Sequence, residues 1–269
     1  PMLTLLGGFF GDPNDERLVP CGAAIELTHI ATLYHDDVIE DAKLRRGVPT
    51  ANARYGNTVA VLAGDFLLAR ASGLAADLGA YVSKKLSATI AELCEGQIME
   101  TEALGRLDVT GERYLEVIRR KTASLIATSC HMGAYLGGAP QQVVDAISEY
   151  GNAVGIAFQL ADDILDVTGD EASLGKTPGT DLRVGVLTLP VLDTLAGYVS
   201  GEAELRAALV GRDVDRALAI LRDNGSLDRA RLAVGEWQRR ALDALELVPA
   251  GTARNAFERL AEFVGGRNS

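Results

Sequence analysis

Asp36-Asp37-Val38-Ile39-Glu40-Asp41 and Asp162-Asp163-Ile164-Leu165-Asp166 repeat one spacing of acids at two distant points of the chain. Each lies in an apolar segment with helical periodicity. Ile25, Leu27, Ile30 and Leu33 lead into the first, and Phe158, Gln159, Leu160 and Ala161 into the second. Residues i and i+4 of a helix share a face, so Asp36 projects with Glu40, Asp37 with Asp41, and Asp162 with Asp166. Unpaired carboxylates are costly in apolar surroundings, and acids this close repel unless a cation sits among them. Two such faces turned to one cavity would cage hard divalent cations and suit a substrate that brings negative charge, above all a diphosphate.

Outward from the clusters, almost every segment shows apolar spacing of three to four residues. The pattern predicts long helices over 21–39, 57–77, 82–104 and 140–168. A further helical stretch over 111–137 is interrupted around Lys121-Thr122, and shorter amphipathic helices run from 187 to Val264. Residues 40–57 and 169–186 read as polar loops containing glycine and proline. Alternating strand patterns, repeats and linkers are absent from the sequence, so the expectation is one all-α domain over 1–269.

Composition agrees. Of 269 residues, 48% are hydrophobic but only 5% aromatic, so Leu and Ala fill the interior, which favours packed helices. The formal charge of −11 argues against a nucleic-acid partner. It leaves an anionic substrate open, because metal ions invert the local field. Cys21, Cys94 and Cys130 are scattered, without a CxxC, and read as buried small hydrophobes in a reducing cytoplasm. No fully apolar run of about eighteen residues occurs, so no transmembrane segment is expected, nor a signal peptide. The chain opens at Pro1 directly into helix-core residues Leu3, Leu5 and Leu6, which suggests that the natural protein begins earlier.

Cations accompany the acids. Arg45-Arg46 follow the first cluster with fork geometry suited to phosphate oxygens. Gly175-Lys176-Thr177 follows the second, where Lys176 could be a solvated loop lysine or a point charge for a diphosphate. Lys121-Thr122 sits between apolar Ile118 and Leu125. Lys121 could snorkel along the surface or meet an anion, and the Thr122 hydroxyl could bond a carbonyl one turn back and bend the helix. His131 and Trp237 read as structural, and Gly151 and Gly155 as points of close helix approach.

Together these features resemble the trans-prenyl diphosphate synthases, or polyprenyl synthetases, over essentially the whole chain. Asp36–Asp41 with Arg45-Arg46-Gly47 is similar to that family's first aspartate-rich motif, and Phe158 through Asp166 to its second. Lys121-Thr122, Gly175-Lys176 and Thr188-Leu189-Pro190 follow in the family's order. The resemblance implies an isoprenoid-synthase helical bundle around a deep central cavity. It also implies a homodimer and head-to-tail condensation of isopentenyl diphosphate with an allylic prenyl diphosphate on three Mg²⁺ ions. By that resemblance Asp36, Asp37 and Asp162 would hold metal, with Asp163 and Asp166 supporting it directly or through water. Arg45, Lys121 and Lys176 would grip the allylic diphosphate, Arg46 and His29 would contact isopentenyl diphosphate, and Thr122 and Gln159 would line the reacting end.

The sequence departs from the family pattern in places. Glu40 stands where the family usually has Asp, so either Glu40 or Asp41 could complete the first metal set. Val186 stands where a Lys often precedes Thr-Leu-Pro. The family's Gly-Gly-Lys…Arg loop would lie before Pro1. Small residues, Ala31 and Thr32, stand one turn before Asp36, where short-chain relatives carry a bulky aromatic. That resembles the longer-chain subgroup, with a product beyond twenty carbons and a pocket floor near Phe66. The alternatives are a geranylgeranyl diphosphate synthase, a non-catalytic prenyl-diphosphate-binding subunit of a heteromeric synthase, and a terpene cyclase. A metal phosphohydrolase prompted by His35-Asp36 lacks ligands, since only His29 and His131 remain.

Overall fold

The computed structural model describes residues 1–45, 47–169 and 178–266. The described chain is almost wholly helical and divides into two compact units. Unit 1 comprises Pro1–Leu93, Ser124–Gly151 and Ala244–Phe257; unit 2 comprises Cys94–Ala123, Asn152–Asp243 and Glu258–Ser269.

In unit 1, α1 (Met2–Gly8) precedes α2 (Leu18–Ile39), which starts three residues earlier than the periodicity suggests. Pro20 falls in its first turn, where a missing N–H costs nothing. Residues 40–57, expected as a loop, contain a two-stranded antiparallel ribbon and a short helix. The strands are β1 (Leu44–Arg45) and β2 (Val48–Pro49), with Leu44 opposite Pro49 and Arg45 opposite Val48. Next, α3 (Ala51–Tyr55) is capped by the Thr50 hydroxyl, which accepts from the Ala53 N–H at 3.3 Å.

Helix α4 (Asn57–Asp77) buries Ala60, Gly64, Ala71 and Ala75 and exposes Val59, Leu62 and Phe66. No room exists for a Cβ on Gly64, since His35 of α2 lies against it. The helix is long and apolar enough to span a membrane by length and composition alone, although no such segment was expected. Its charged Asp65 and Arg70 broke the uninterrupted apolar run that the expectation relied on.

Helix α5 (Ala80–Ala103) leads to α6 (Gly111–Ile118), and a π-helical turn (Arg119–Ala123) joins α6 to α7 (Ser124–Leu136). The core of unit 1 gathers Leu18, Ile25, Leu86, Leu93, Met132 and Leu136. Gly151 lets its helix meet α7, where an added Cβ would lie 2.7 Å from the Ala127 Cα. His131 is buried and its Nε2 pairs with the Tyr81 hydroxyl at 2.8 Å. Of the cysteines, Cys21 and Cys130 are buried as expected, but Cys94 is exposed.

In unit 2 the core collects Tyr114, Ile118, Leu160, Ile164, Leu192 and Leu221. The backbone of α8 (Gln141–Thr168) carries the second acidic cluster near its end. Then come α9 (Thr180–Val184), α10 (Leu189–Leu195), α11 (Glu202–Val210), α12 (Val214–Asp223), α13 (Ser226–Leu245) and α14 (Thr252–Gly266). Pro190 sits in the first turn of α10, so Thr188-Leu189-Pro190 reads as a helix start. Trp237 on α13 packs against the core and lies under the Arg240 guanidinium, 4.4 Å from ring centre to Cζ.

Candidate active site

The first acidic cluster closes α2. Asp36 is half-buried and Glu40, the C-cap, is exposed. Asp37 is only 3% exposed, and its Oδ1 accepts a hydrogen bond from Arg45 Nε at 2.7 Å. Burying that carboxylate is tolerable because the guanidinium stays beside it. The two-residue ribbon returns Arg45 to the helix end. Asn52 pins the return by donating from Nδ2 to the carbonyls of Asp37 (3.0 Å) and Ala42 (3.1 Å).

The expected pairing of Asp37 with Asp41 on one helix face does not form. The helix stops at Ile39, and Asp41 takes φ 50, the left-handed conformation in which many helices terminate and which Asp tolerates better than most residues. Its carboxylate turns to Lys43 Nζ at 2.6 Å.

Upstream on α2, His29 and Thr32 are half-buried, and the Thr32 hydroxyl donates to the His29 carbonyl at 2.8 Å. Ala31 is completely buried. Phe66 on α4 is 65% exposed. Arg46 and Lys176, both expected at the diphosphate, lie outside the described residues.

The second cluster is more enclosed. Asp162 is half-buried, whereas Asp163 and Asp166 are buried. Asp166 anchors the chain that follows: its Oδ2 accepts the Asp181 N–H at 3.1 Å and its carbonyl accepts the Gly179 N–H at 2.8 Å. Asp163 accepts from the Tyr114 hydroxyl at Oδ2 and from Gln159 Nε2 at Oδ1 (3.0 Å). Burial, with the nearby Asp181 and Asp162 charges, pushes the Asp163 carboxyl up to about 8, against the lowering effect of those two donors. The buried Tyr114 hydroxyl is raised well above its usual range, by burial first and then by the Asp163 charge.

Lys121 and Thr122 lie in the π-helical turn, which often marks functional positions within a helix. The sequence suggested a bend sealed by Thr122 on a carbonyl one turn back. Instead the Thr122 hydroxyl donates to Gln159 Oε1 at 2.9 Å. The Lys121 ammonium donates to Glu100 of α5. One turn before Glu100, Gly96 has no room for a side chain: its Cβ would lie 2.7 Å from the Lys121 backbone nitrogen. Glu116 is held at about 2, chiefly by a hydrogen bond from Arg119, with Arg120 adding to it.

Asn52, Gly96, Glu100 and Tyr114 were not singled out from the sequence. Gly96 and Glu100 carried a signal, a glycine and an acid one turn apart inside a helical pattern. Asn52 and Tyr114 carried none, because their partners are distant in sequence.

Among the described residues, no three His, Cys, Asp or Glu groups converge as a ready metal cage. Mg²⁺ takes one or two carboxylates and fills its octahedron with phosphate oxygens and water. Asp36 in unit 1 and Asp162 in unit 2 are each half-buried donors of that sparse kind, so each cluster by itself fits Mg²⁺ that takes its other ligands from diphosphate and water and does not fit an all-protein site.

Comparison with known proteins agrees with the geometry. Residues 1–220 match the model of the polyprenyl synthetase family. The chain is 40% identical over 274 residues to the nonaprenyl diphosphate synthase of Mycobacterium tuberculosis, covering 100% of this chain and 82% of that protein. It is 39% identical over 276 residues to the heptaprenyl diphosphate synthase component 2 of Geobacillus stearothermophilus, covering 100% and 85%. Its fold matches a Caulobacter crescentus polyprenyl synthase, crystallised with calcium and isoprenyl diphosphate, at a TM-score of 0.93. That match has 34% identity over 100% of this chain and 84% of the other. These likenesses lead to one statement: the chain belongs to the polyprenyl synthetase family and is a trans-prenyltransferase.

Proposed function

We propose that this prenyltransferase joins isopentenyl diphosphate to an allylic prenyl diphosphate, head to tail, and that its product is a trans-polyprenyl diphosphate. A product longer than C20 accords with the family of the relatives and with the small residues Ala31 and Thr32 before the first cluster. The observation that carries the reading is that the acid-bearing end of α2 comes with a cation already paired, Arg45 on Asp37, and that Thr122 beside Lys121 is bonded to Gln159 of the second motif.

Asp36, Asp37 and Asp162 would hold Mg²⁺, with Glu40, Asp41, Asp163 and Asp166 as the remaining candidates of the two clusters and three ions per site. When bound, Mg²⁺ supplies the positive charge that a departing diphosphate requires. Arg45, Lys121 and Lys176 bind the allylic diphosphate oxygens, and Arg46 with His29 receives isopentenyl diphosphate. Thr122 and Gln159 flank the reacting carbon with polar oxygens. The alkene of isopentenyl diphosphate is the nucleophile and the leaving diphosphate accepts the final proton, so no Ser, Cys or His performs covalent or base chemistry.

The partner is a second copy of the chain, supported by the exposed apolar residues Val59, Leu62 and Phe66 on α4. A second reading, pairing with a different subunit, draws on the relative named as component 2 of a heptaprenyl diphosphate synthase. The free thiols Cys21, Cys94 and Cys130 accord with a reducing cytoplasm.

The test is an assay of the purified chain with Mg²⁺, isopentenyl diphosphate and farnesyl diphosphate, with products separated by chromatography and mass measured by light scattering. Elongated product beyond twenty carbons from a dimer supports the proposal. Phosphate release alone, a cyclised hydrocarbon, or activity only after a second subunit is added would overturn it in favour of a named rival.

A further inference from the structure

Asp163 has the position of a metal ligand and the surroundings of something else. It is 3% exposed, packed among core residues Leu160 and Ile164, and both its oxygens already accept hydrogen bonds. Four side chains form a continuous chain within unit 2: Tyr114 hydroxyl to Asp163 Oδ2, Gln159 Nε2 to Asp163 Oδ1, and Thr122 hydroxyl to Gln159 Oε1. Asp37 is as buried but pairs with the Arg45 ion, which a phosphate can draw away; with both oxygens held by neutral donors, Asp163 offers little access to a hydrated cation.

Resting on the reading that Thr122 and Gln159 line the reacting end, we propose that Asp163 is a positioning residue and not a metal ligand. Anchored by Tyr114, it sets the orientation of the Gln159 amide and, through it, of the Thr122 hydroxyl. Both Asp163 oxygens accept hydrogen bonds, so Gln159 turns Nε2 toward Asp163 and Oε1 toward Thr122. The Thr122 proton is then committed to Gln159, and both side chains keep oxygen lone pairs for the positive charge that develops on the allylic carbon. With the amide reversed, Gln159 would donate to Thr122 and free the hydroxyl proton to point at that charge, which raises the barrier. Fixing the orientation beforehand avoids reorganisation during the reaction, and the π-helical turn sets the register that brings Thr122 within reach.

The proposal separates Asp163 from its neighbour Asp162 in two measurements. One is steady-state kinetics with isopentenyl and farnesyl diphosphates. The other is Mn²⁺ binding in the presence of inorganic diphosphate, followed by electron paramagnetic resonance, which needs no turnover. Tyr114→Phe and Asp163→Asn should each lower kcat about ten-fold, the scale of one buried hydrogen bond, while KM for farnesyl diphosphate and Mn²⁺ affinity stay within about two-fold of wild type. The double variant should be no slower than Asp163→Asn, because both act along one chain of bonds. Asp162→Asn should weaken Mn²⁺ binding by about ten-fold or more.

Wild-type kcat in Tyr114→Phe, or Mn²⁺ binding as weak in Asp163→Asn as in Asp162→Asn, overturns the proposal. If Asp163→Asn does not fold by circular dichroism, Tyr114→Phe, which keeps the ring, decides the question. A wild-type chain that makes no elongated product overturns the functional reading and the relay's catalytic part with it. The Mn²⁺ comparison then still decides whether Asp163 ligates metal.

Discussion

The two acidic clusters share a spacing and solve the problem of concentrated negative charge differently. At the end of α2 the buried acid, Asp37, is matched by an ion, the Arg45 guanidinium that the β-ribbon brings back. Near the end of α8 the buried Asp163 is matched by neutral donors, a tyrosine hydroxyl and a glutamine amide. An ion pair at the protein edge can exchange its partner for a phosphate. Neutral donors packed into a core fix an orientation and resist exchange. One spacing therefore serves two purposes, charge exchange at the first cluster and preorganisation at the second.

The sharpest way to break this contrast is to remove the half-buried acid of each cluster. Asp36→Ala and Asp162→Ala should each lower kcat by roughly three orders of magnitude, a loss typical of the groups that stabilise a leaving charge. Single-turnover kinetics would check it. A normal rate in either variant would mean that only the other cluster serves the diphosphate.

Smaller effects test the supports. Gly96→Ala forces a Cβ toward the Lys121 backbone and should cost about 1–3 kcal/mol, read from urea unfolding, while raising KM for the allylic diphosphate. Ala31→Tyr fills a completely buried position; products should shorten on chromatography, with an overpacking cost of about 1–3 kcal/mol. An unchanged product distribution would remove Ala31 from the product-length determinants.

Arg45→Ala leaves Asp37 buried without its ion. Because Arg45 is itself half-exposed, the cost should be about 1–2 kcal/mol, less than for a fully buried pair. Arg45→Lys should recover part of it, and an equal loss in both would point to the guanidinium fork over its charge.

The smallest effect is at Glu116 beside the π-helical turn. Its carboxyl lies at about 2 in the folded chain against 4.5 ordinarily, so its stabilisation is present above 4.5 and fades as pH falls toward 2. Glu116→Gln should cost only about 0.5 kcal/mol at neutral pH because the group is partly exposed. Its unfolding curve should merge with wild type near pH 2.

Much of the fold was legible because helical periodicity is local. The helices over 57–77 and 140–168 fall where apolar spacing puts them, and the interruption at Lys121-Thr122 is present as a π-helical turn. The 40–57 segment was not legible as structure. A two-residue ribbon has no periodicity to read, and it is held by Asn52 on the Asp37 carbonyl of α2 and by Thr50 on the Ala42 carbonyl just beyond it. The site was legible as a set of residue types but not as a set of partners. Asp41 looks like a helical neighbour of Asp37 until the left-handed turn takes it away. Thr122 looks like a local helix bender until Gln159 claims its proton.

By itself the sequence determined an all-α chain with two aspartate-bearing helices and the motif order of a polyprenyl synthetase, because spacing along a helix sets which residues share a face. Only the tertiary structure decided that Lys121 rests on Glu100, that Gly96 admits the turn beside it, that Tyr114 meets Asp163 and that Thr122 meets Gln159. Those pairings depend on which helices pack together, and hydrogen bonds between residues tens of positions apart leave no periodic trace in the chain.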